Sequence, residues 1–326
     1  MTPPVSSAAD PSRPLTIRVF ITRRLPPIAK QLLEDAGLAV DQREENSPCP
    51  VDLLLKAVED YDVVLSTVSE QLDEAVISRK RQLKVISNYA VGLDNISVHF
   101  AGTAGVAVYN TPDVVTESTA DMTFALLLGL LRKLPAAQAF VKAGQWKAWD
   151  PELFLGEELR GKVLGILGLG RVGTAVARRA LGFGLRVIYY DLENRIIELG
   201  FDNDIKPVAL DELYRRADYL AIHVPLTSDT KGMINRDAFA QMARRPAVVN
   251  MARGGIVDTD DLVAALRAGM VRGAALDVVA HDRIAGDHPL CHLDNVIVVP
   301  HIGTATTECR ANMAALAARN MINHFS

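Results

Sequence analysis

At 326 residues the chain is too long for one small core, so two domains are expected. Its 49% hydrophobic and 23% charged residues are ordinary for a globular enzyme, and a net charge of −4 gives no electrostatic argument for nucleic acid or an anionic membrane as partner. The three cysteines, Cys49, Cys291 and Cys309, lie far apart with neither disulfide nor metal spacing, which fits a reducing cytoplasm and no bound metal.

Residues 1–14 (MTPPVSSAADPSRP) have no signal-peptide pattern and read as a disordered extension. A first strand covers residues 17–21. Pro26 and Pro27 then open a helix that runs to Asp35 and stops at Gly37. Short strands follow at residues 63–66, 84–87 and 106–109, with a helix near 72–79. Strands alternating with helices imply a parallel α/β sheet, here over residues 15–109. Asn110-Thr111-Pro112 reads as a hinge, because Pro112 restricts Thr111 to extended geometry. A long helix follows at 115–133. Its apolar run, residues 122–131, is too short to cross a bilayer and reads as core. Residues 144–156 carry both tryptophans, Trp146 and Trp149, which either meet another surface or pack locally under the loop.

The next stretch organises the rest of the chain. Residues 163–167 form an uncharged apolar strand that runs into Gly168, Gly170 and Gly173, a G-x-G-x-x-G turn. Gly168 suits the tight turn, Gly170 leaves room for a pyrophosphate, and Gly173 lets the helix lie close to the strand. The N–H groups of the helix starting near Arg171 face the phosphates. A second strand at 186–190 ends in Asp191, 18 residues after Gly173. Its carboxylate can accept from both adenine-ribose hydroxyls and repels a 2′-phosphate, so NAD (NADH) is favoured over NADP. Arg195 nearby is the one feature on the other side. A turn or helix-cap role for Asp191 is the plain alternative.

Strands recur at residues 219–224, 247–251, 274–278 and 296–299, giving six parallel strands in this half, and a final helix at 306–320 can pack back on the first domain. Polar clusters stand at strand ends, where open α/β sheets bind ligands: residues 88–94, Arg253, Asp277 with Asp282, and His301. An arginine, a carboxylate and a histidine together beside a nicotinamide suit reduction of a 2-oxo acid. The guanidinium pairs with the substrate, the imidazolium delivers a proton and the carboxylate holds the imidazole. Singly, Arg253 also reads as a surface ion pair, His301 as a helix-start residue and Asp282 as solvated loop. His223, before Val224 and Pro225 at a strand end, lines the cofactor cleft.

In this order the segments resemble the D-isomer-specific 2-hydroxyacid dehydrogenase family, over nearly the whole chain after residue 15. The likeness rests on NYAVGLDNI at 88–96, the glycine turn with Asp191, HVPLT at 223–227, NMARGGIVD at 250–258, ALDV at 275–278 and PHIG at 300–303. Trp146, Trp149, FLG at 154–156 and HIGTAT at 301–306 bring it nearest to the glyoxylate/hydroxypyruvate reductases. The resemblance implies two Rossmann-like doubly wound parallel-sheet domains with a cleft between them. Residues 15–109 and 305–326 form a flavodoxin-like substrate-binding domain, and 110–304 the NAD-binding domain. It implies Arg253, Asp282 and His301 as catalytic residues. Val91 and Gly92 hold the substrate carboxylate through their N–H groups, and Trp149 reaches the active site of the neighbour in a homodimer. It gives the cofactor Gly168, Gly170, Arg171, Val172, Gly173, Asp191, His223, Val224, Pro225, Met251, Ala252, Asp277 and Gly303.

One departure stands out. The family usually has Glu followed by Pro five residues after the strand-end aspartate, whereas this chain has Asp282 and Arg283, one methylene shorter in reach. The activity implied is NADH-dependent reduction of glyoxylate or hydroxypyruvate. Alternatives are a dehydrogenase of a bulkier D-2-hydroxy acid or of phosphite on the same scaffold, and a dinucleotide-sensing scaffold of the corepressor type.

Overall fold

A computed structural model describes residues 16–192 and 205–326. The extension expected over residues 1–14, and Arg195, lie outside the described residues. The chain divides into two compact units. One runs to Pro112 and includes Arg310–Ser326; the other is Asp113–Cys309.

In the first unit the described strands are β1 (Arg18–Ile21), β2 (Ala39–Gln42), β3 (Val63–Ser66), β4 (Val85–Asn88) and β5 (Ala107–Tyr109). All pairings are parallel, in the order β2-β1-β3-β4-β5, the flavodoxin-like order. The runs VVLS and VISN of β3 and β4 are buried throughout, as central parallel strands must be. The expected helix at the double proline is Ile28–Asp35, and Gly37 with φ +82° stops it. The last helix, Thr307–Phe325, buries Met313, Ala314, Ala317, Ala318 and Met321. Ser87 Oγ donates to the Ala317 carbonyl at 3.1 Å, the Tyr89 hydroxyl to that of Arg310 at 2.7 Å and Asn320 Nδ2 to that of Asn110 at 2.8 Å. The end of the chain is thereby fastened to β4 and to the residue after β5.

In the second unit the described strands are β6 (Val163–Leu167), β7 (Arg186–Tyr190), β8 (Ile205–Pro207), β9 (Tyr219–Ile222), β10 (Ala247–Asn250), β11 (Gly273–Leu276) and β12 (Val296–Val298). They are parallel, in the order β12-β11-β10-β9-β6-β7-β8. Seven strands among the described residues replace the six expected. The added β8 is a three-residue edge strand ending in Pro207, tolerable because an edge leaves one side of the ladder free. Strand order reverses between β6 and β9, the switch point at which such sheets bind ligands.

The helix expected at 115–133 spans Thr116–Leu131. It buries Ala120, Phe124, Leu127 and Leu131, with the Phe124 ring stacked 4.9 Å from that of Phe183. Each such large side chain stabilises the fold by about 1.5–3 kcal/mol. Arg179, on the helix Arg171–Gly182, bonds Glu117 and Asp121 at 2.7 Å each and locks the two helices together. Among the described residues no single helix is long and apolar enough to cross a membrane.

Candidate active site

β6 is buried along its whole length and ends at Gly168, whose φ is +96°. A Cβ there would lie 2.8 Å from the backbone of His223 and Val224, so only glycine lets this turn touch the chain leaving β9. A Cβ on Gly173 would lie 2.1 Å from the Gly168 carbonyl oxygen. Gly170 is different: a Cβ there meets nothing within 4 Å among the described residues. Gly170 also caps the helix Arg171–Gly182 with no side-chain cap bond among the described residues. Open space in front of an uncapped helix start is what a pyrophosphate needs.

Asp191 follows β7, and its Oδ2 accepts the Leu169 N–H at 2.7 Å, tying it to the glycine turn. His223 follows β9. Its Nε2 is covered and has no hydrogen-bond partner among the described residues. Burial lowers its pKa to about 4, so the ring is neutral at ordinary pH. The turn, the free helix start, the orphaned imidazole nitrogen and Asp191 together fit a dinucleotide.

The Arg253 turn follows β10. Asn250 is buried and brackets it: Oδ1 accepts the Ala252 N–H at 3.1 Å, and Nδ2 donates to the Arg253 carbonyl at 2.9 Å. The Arg253 guanidinium donates to the Ala252 carbonyl at 2.9 Å. Met251 lines the same turn, buried against the sheet. A Cβ on Gly254 would lie 1.9 Å from the Val279 carbonyl carbon. The Arg253 turn therefore rests on the backbone that leads into His281 and Asp282.

Asp277 follows β11 and is 2% exposed. Its backbone carbonyl accepts the His301 N–H at 2.9 Å, and its carboxylate accepts from Ile302 at 2.7 Å and Gly303 at 2.9 Å. Burial pushes its pKa up, against the opposing pull of the two N–H groups. The Gly303 carbonyl accepts from Ser118 Oγ at 2.9 Å. Both polar groups of Gly303, and both carboxylate oxygens of Asp277, thus have partners within the chain.

His301 Nδ1 lies 2.9 Å from Asp282 Oδ2, with their side chains 30% and 36% exposed. An ionised carboxylate only accepts, so Nδ1 carries the hydrogen and Nε2 is left as the second ring position. Burial works to raise the Asp282 carboxyl, but the His301 hydrogen bond and the charges of His301 and Arg253 outweigh it and hold the group below the usual carboxylate range. The short aspartate side chain makes the contact for which a longer glutamate would have been expected.

Arg253, Asp277, Asp282 and His301 all belong to the second unit, at the carboxyl ends of β10, β11 and β12. Val91 and Gly92 belong to the first, on the loop after β4. Asn110 Nδ2 donates to the Val91 carbonyl at 2.7 Å and Asn88 Nδ2 to that of Gly92 at 3.0 Å, which fixes the loop that carries their N–H groups. Trp146 and Trp149 are 62% and 83% exposed, so they do not pack under their own loop. The preceding helix, Leu134–Lys142, has no buried residue. The bracketing role of Asn250 and the brace at Asp277 join residues through backbone groups, and no side-chain pattern in the sequence announces them.

The family model for the D-isomer specific 2-hydroxyacid dehydrogenase NAD-binding domain matches residues 124–303. The glyoxylate reductase of Pyrococcus furiosus is 42% identical over 310 residues, covering 94% of this chain and 91% of that protein. Among solved structures, the TT0316 protein of Thermus thermophilus superposes with a TM-score of 0.88 at 40% identity, covering 95% of this chain and 97% of that one. An NADPH-dependent glyoxylate/hydroxypyruvate reductase of Sinorhizobium meliloti, in complex with NADP and malonate, gives 0.83 at 29% identity over 96% and 94%. The match spans the glycine turn, the Arg253 turn and His301 alike, and on it the chain belongs to the D-isomer specific 2-hydroxyacid dehydrogenases.

Proposed function

We propose that this protein is an NADH-dependent reductase of small 2-oxo acids, glyoxylate or hydroxypyruvate, yielding the 2-hydroxy acid. The observation that carries this is the 2.9 Å contact of Asp282 with His301 Nδ1, on a loop that rests against the Arg253 turn. When bound, the reduced nicotinamide supplies the hydride accepted by the carbonyl carbon. Asp282, ionised at neutral pH, accepts the Nδ1 hydrogen of His301 and fixes the orientation of the ring. His301 Nε2 gives its proton to the carbonyl oxygen. Arg253 orients the 2-oxo acid and polarises its carbonyl, and the N–H groups of Val91 and Gly92 take its carboxylate.

Residues 15–109 with 305–326, most of which lie in the first unit, bind substrate, and residues 110–304 bind the nucleotide. Asp191 repels a 2′-phosphate and selects NADH over NADPH. Leu134, Val141, Trp146, Trp149 and Leu155 are all at least half exposed, and we assign them to the interface of a two-fold homodimer in which Trp149 reaches the neighbouring active site. A reducing cytoplasm suits the cysteine content.

Initial rates with glyoxylate, hydroxypyruvate, pyruvate, phenylpyruvate and phosphite, each with both nucleotides, test the assignment. Highest kcat/KM for glyoxylate or hydroxypyruvate with NADH supports it. Turnover of phosphite or of phenylpyruvate alone overturns it. Sedimentation of a monomer at micromolar concentration removes the cross-subunit role of Trp149.

A further inference from the structure

The loop carrying Asp282 has a backbone that side chains rarely tolerate. His281 has φ 58° and ψ 19°, and Asp282 has φ 49°. Two successive non-glycine residues are therefore left-handed, where Cβ crowds the following carbonyl. Such strain persists only where the surroundings over-determine it. Here they do: the Asp282 N–H bonds the Val279 carbonyl at 3.0 Å, and Gly254 lies against the backbone of Val279 and Ala280. On the far side, the Asp282 carboxylate meets His301 Nδ1 at 2.9 Å.

The residue after Asp282 is Arg283, with φ −152°. A proline at this position would fix its own φ near −65° and push residue 282 into extended backbone. Arginine imposes neither restriction. The short side chain at 282 and the absence of proline at 283 therefore belong together.

Resting on the function proposed above, we infer that the left-handed pair His281–Asp282 is the device that carries a short carboxylate onto His301, and that His281 and Arg283 are positioning residues for the proton donor. They act through the main chain, and neither touches the substrate.

The test uses five variants of the full chain and two readouts. One readout is kcat for reduction, read separately from KM. The other is the proton resonance of the hydrogen-bonded His301 Nδ1–H, identified by its loss in Asp282→Asn and measurable without turnover. His281→Val, whose branched Cβ disfavours the left-handed region, and Arg283→Pro should each lose the resonance. Each should also lower kcat about tenfold, while NADH still binds by fluorescence titration. His281→Gly should keep the resonance, since glycine accepts the conformation freely. The double variant His281→Val/Asp282→Glu should regain it, because the longer side chain reaches from a relaxed backbone. Retention of the resonance in both His281→Val and Arg283→Pro overturns the inference. If the native enzyme reduces no 2-oxo acid, the proposed function fails, and the resonance still decides the positioning.

Discussion

Asp277 holds His301 by the main chain: its carbonyl oxygen takes the His301 N–H at 2.9 Å, and its carboxylate takes the next two N–H groups. Three successive N–H groups converge on one residue. His301 can therefore sit at φ 53° without drifting. Asp277→Asn keeps one acceptor and turns an NH2 toward an N–H. That change should cost about 1–3 kcal/mol of stability and lower kcat more than it raises KM. Chemical denaturation and steady-state kinetics on one preparation check both. A variant with native stability and native kcat would show that the brace is dispensable.

The glycines at 170 and 254 should behave oppositely. Gly254→Ala drives a Cβ into the Val279 backbone, so it should destabilise by about 1–3 kcal/mol and reduce activity through Arg253. Gly170→Ala places its Cβ more than 4 Å from every other atom of the described residues outside its own turn. It should leave the melting temperature near native and weaken NADH binding at least ~tenfold, about 1.4 kcal/mol. Calorimetry of the free protein and of the NADH complex separates the two.

For the nucleotide, the native protein should prefer NADH over NADPH by at least ~tenfold, on the order of 1.4 kcal/mol. Asp191→Ser or Asp191→Arg should shift the ratio of kcat/KM toward NADPH, at some loss of rate, because Leu169 loses its acceptor. A native preference for NADPH would sink this reading of Asp191.

Arg253 and His301 should fail in different ways. Arg253→Ala should raise KM and lower kcat together, since its pairing acts in both the ground and transition states. His301→Ala should lower kcat by at least ~100-fold with NADH binding kept. Native turnover by His301→Ala would rule out the imidazole as proton donor.

Asp282 adds an acid dependence whose sign follows from its lowered pKa. Its stabilising contact is complete above the unfolded value of about 4 and is lost as pH falls through the lower folded value. Stability of the native protein should decline over that window more steeply than that of Asp282→Asn. Parallel acid-unfolding curves would show that the His301 contact is not maintained in solution.

The regular parts of the fold were legible because they are short uninterrupted apolar runs, such as residues 163–167, separated by glycine and proline. β2 (AVDQ) and β8 (IKP) were not, since each is an edge strand with too few apolar residues to stand out. In the site, residue types and their strand-end positions pointed to Arg253, His301 and a carboxylate at Asp277 or Asp282, and the family resemblance chose Asp282. The left-handed backbone at His281 and Asp282 was invisible, because no glycine marks it and its cause lies in contacts with distant loops. The bonds from Ile302 and Gly303 to Asp277 were invisible for a similar reason: these partners are 25 and 26 positions away.

The fastening of the last helix to β4 sets an order of assembly. Residues 113–309 form one uninterrupted unit and can fold while the ribosome is still adding the tail. The first unit has to wait for residues 310–326, which bring the Ala317 carbonyl to Ser87 of β4 and bury Met313 and Met321. The unit that carries β1–β5 is therefore completed after the one that carries β6–β12, and a nascent chain stopped before residue 310 would leave it without the helix that bonds Ser87, open to chaperones and proteases.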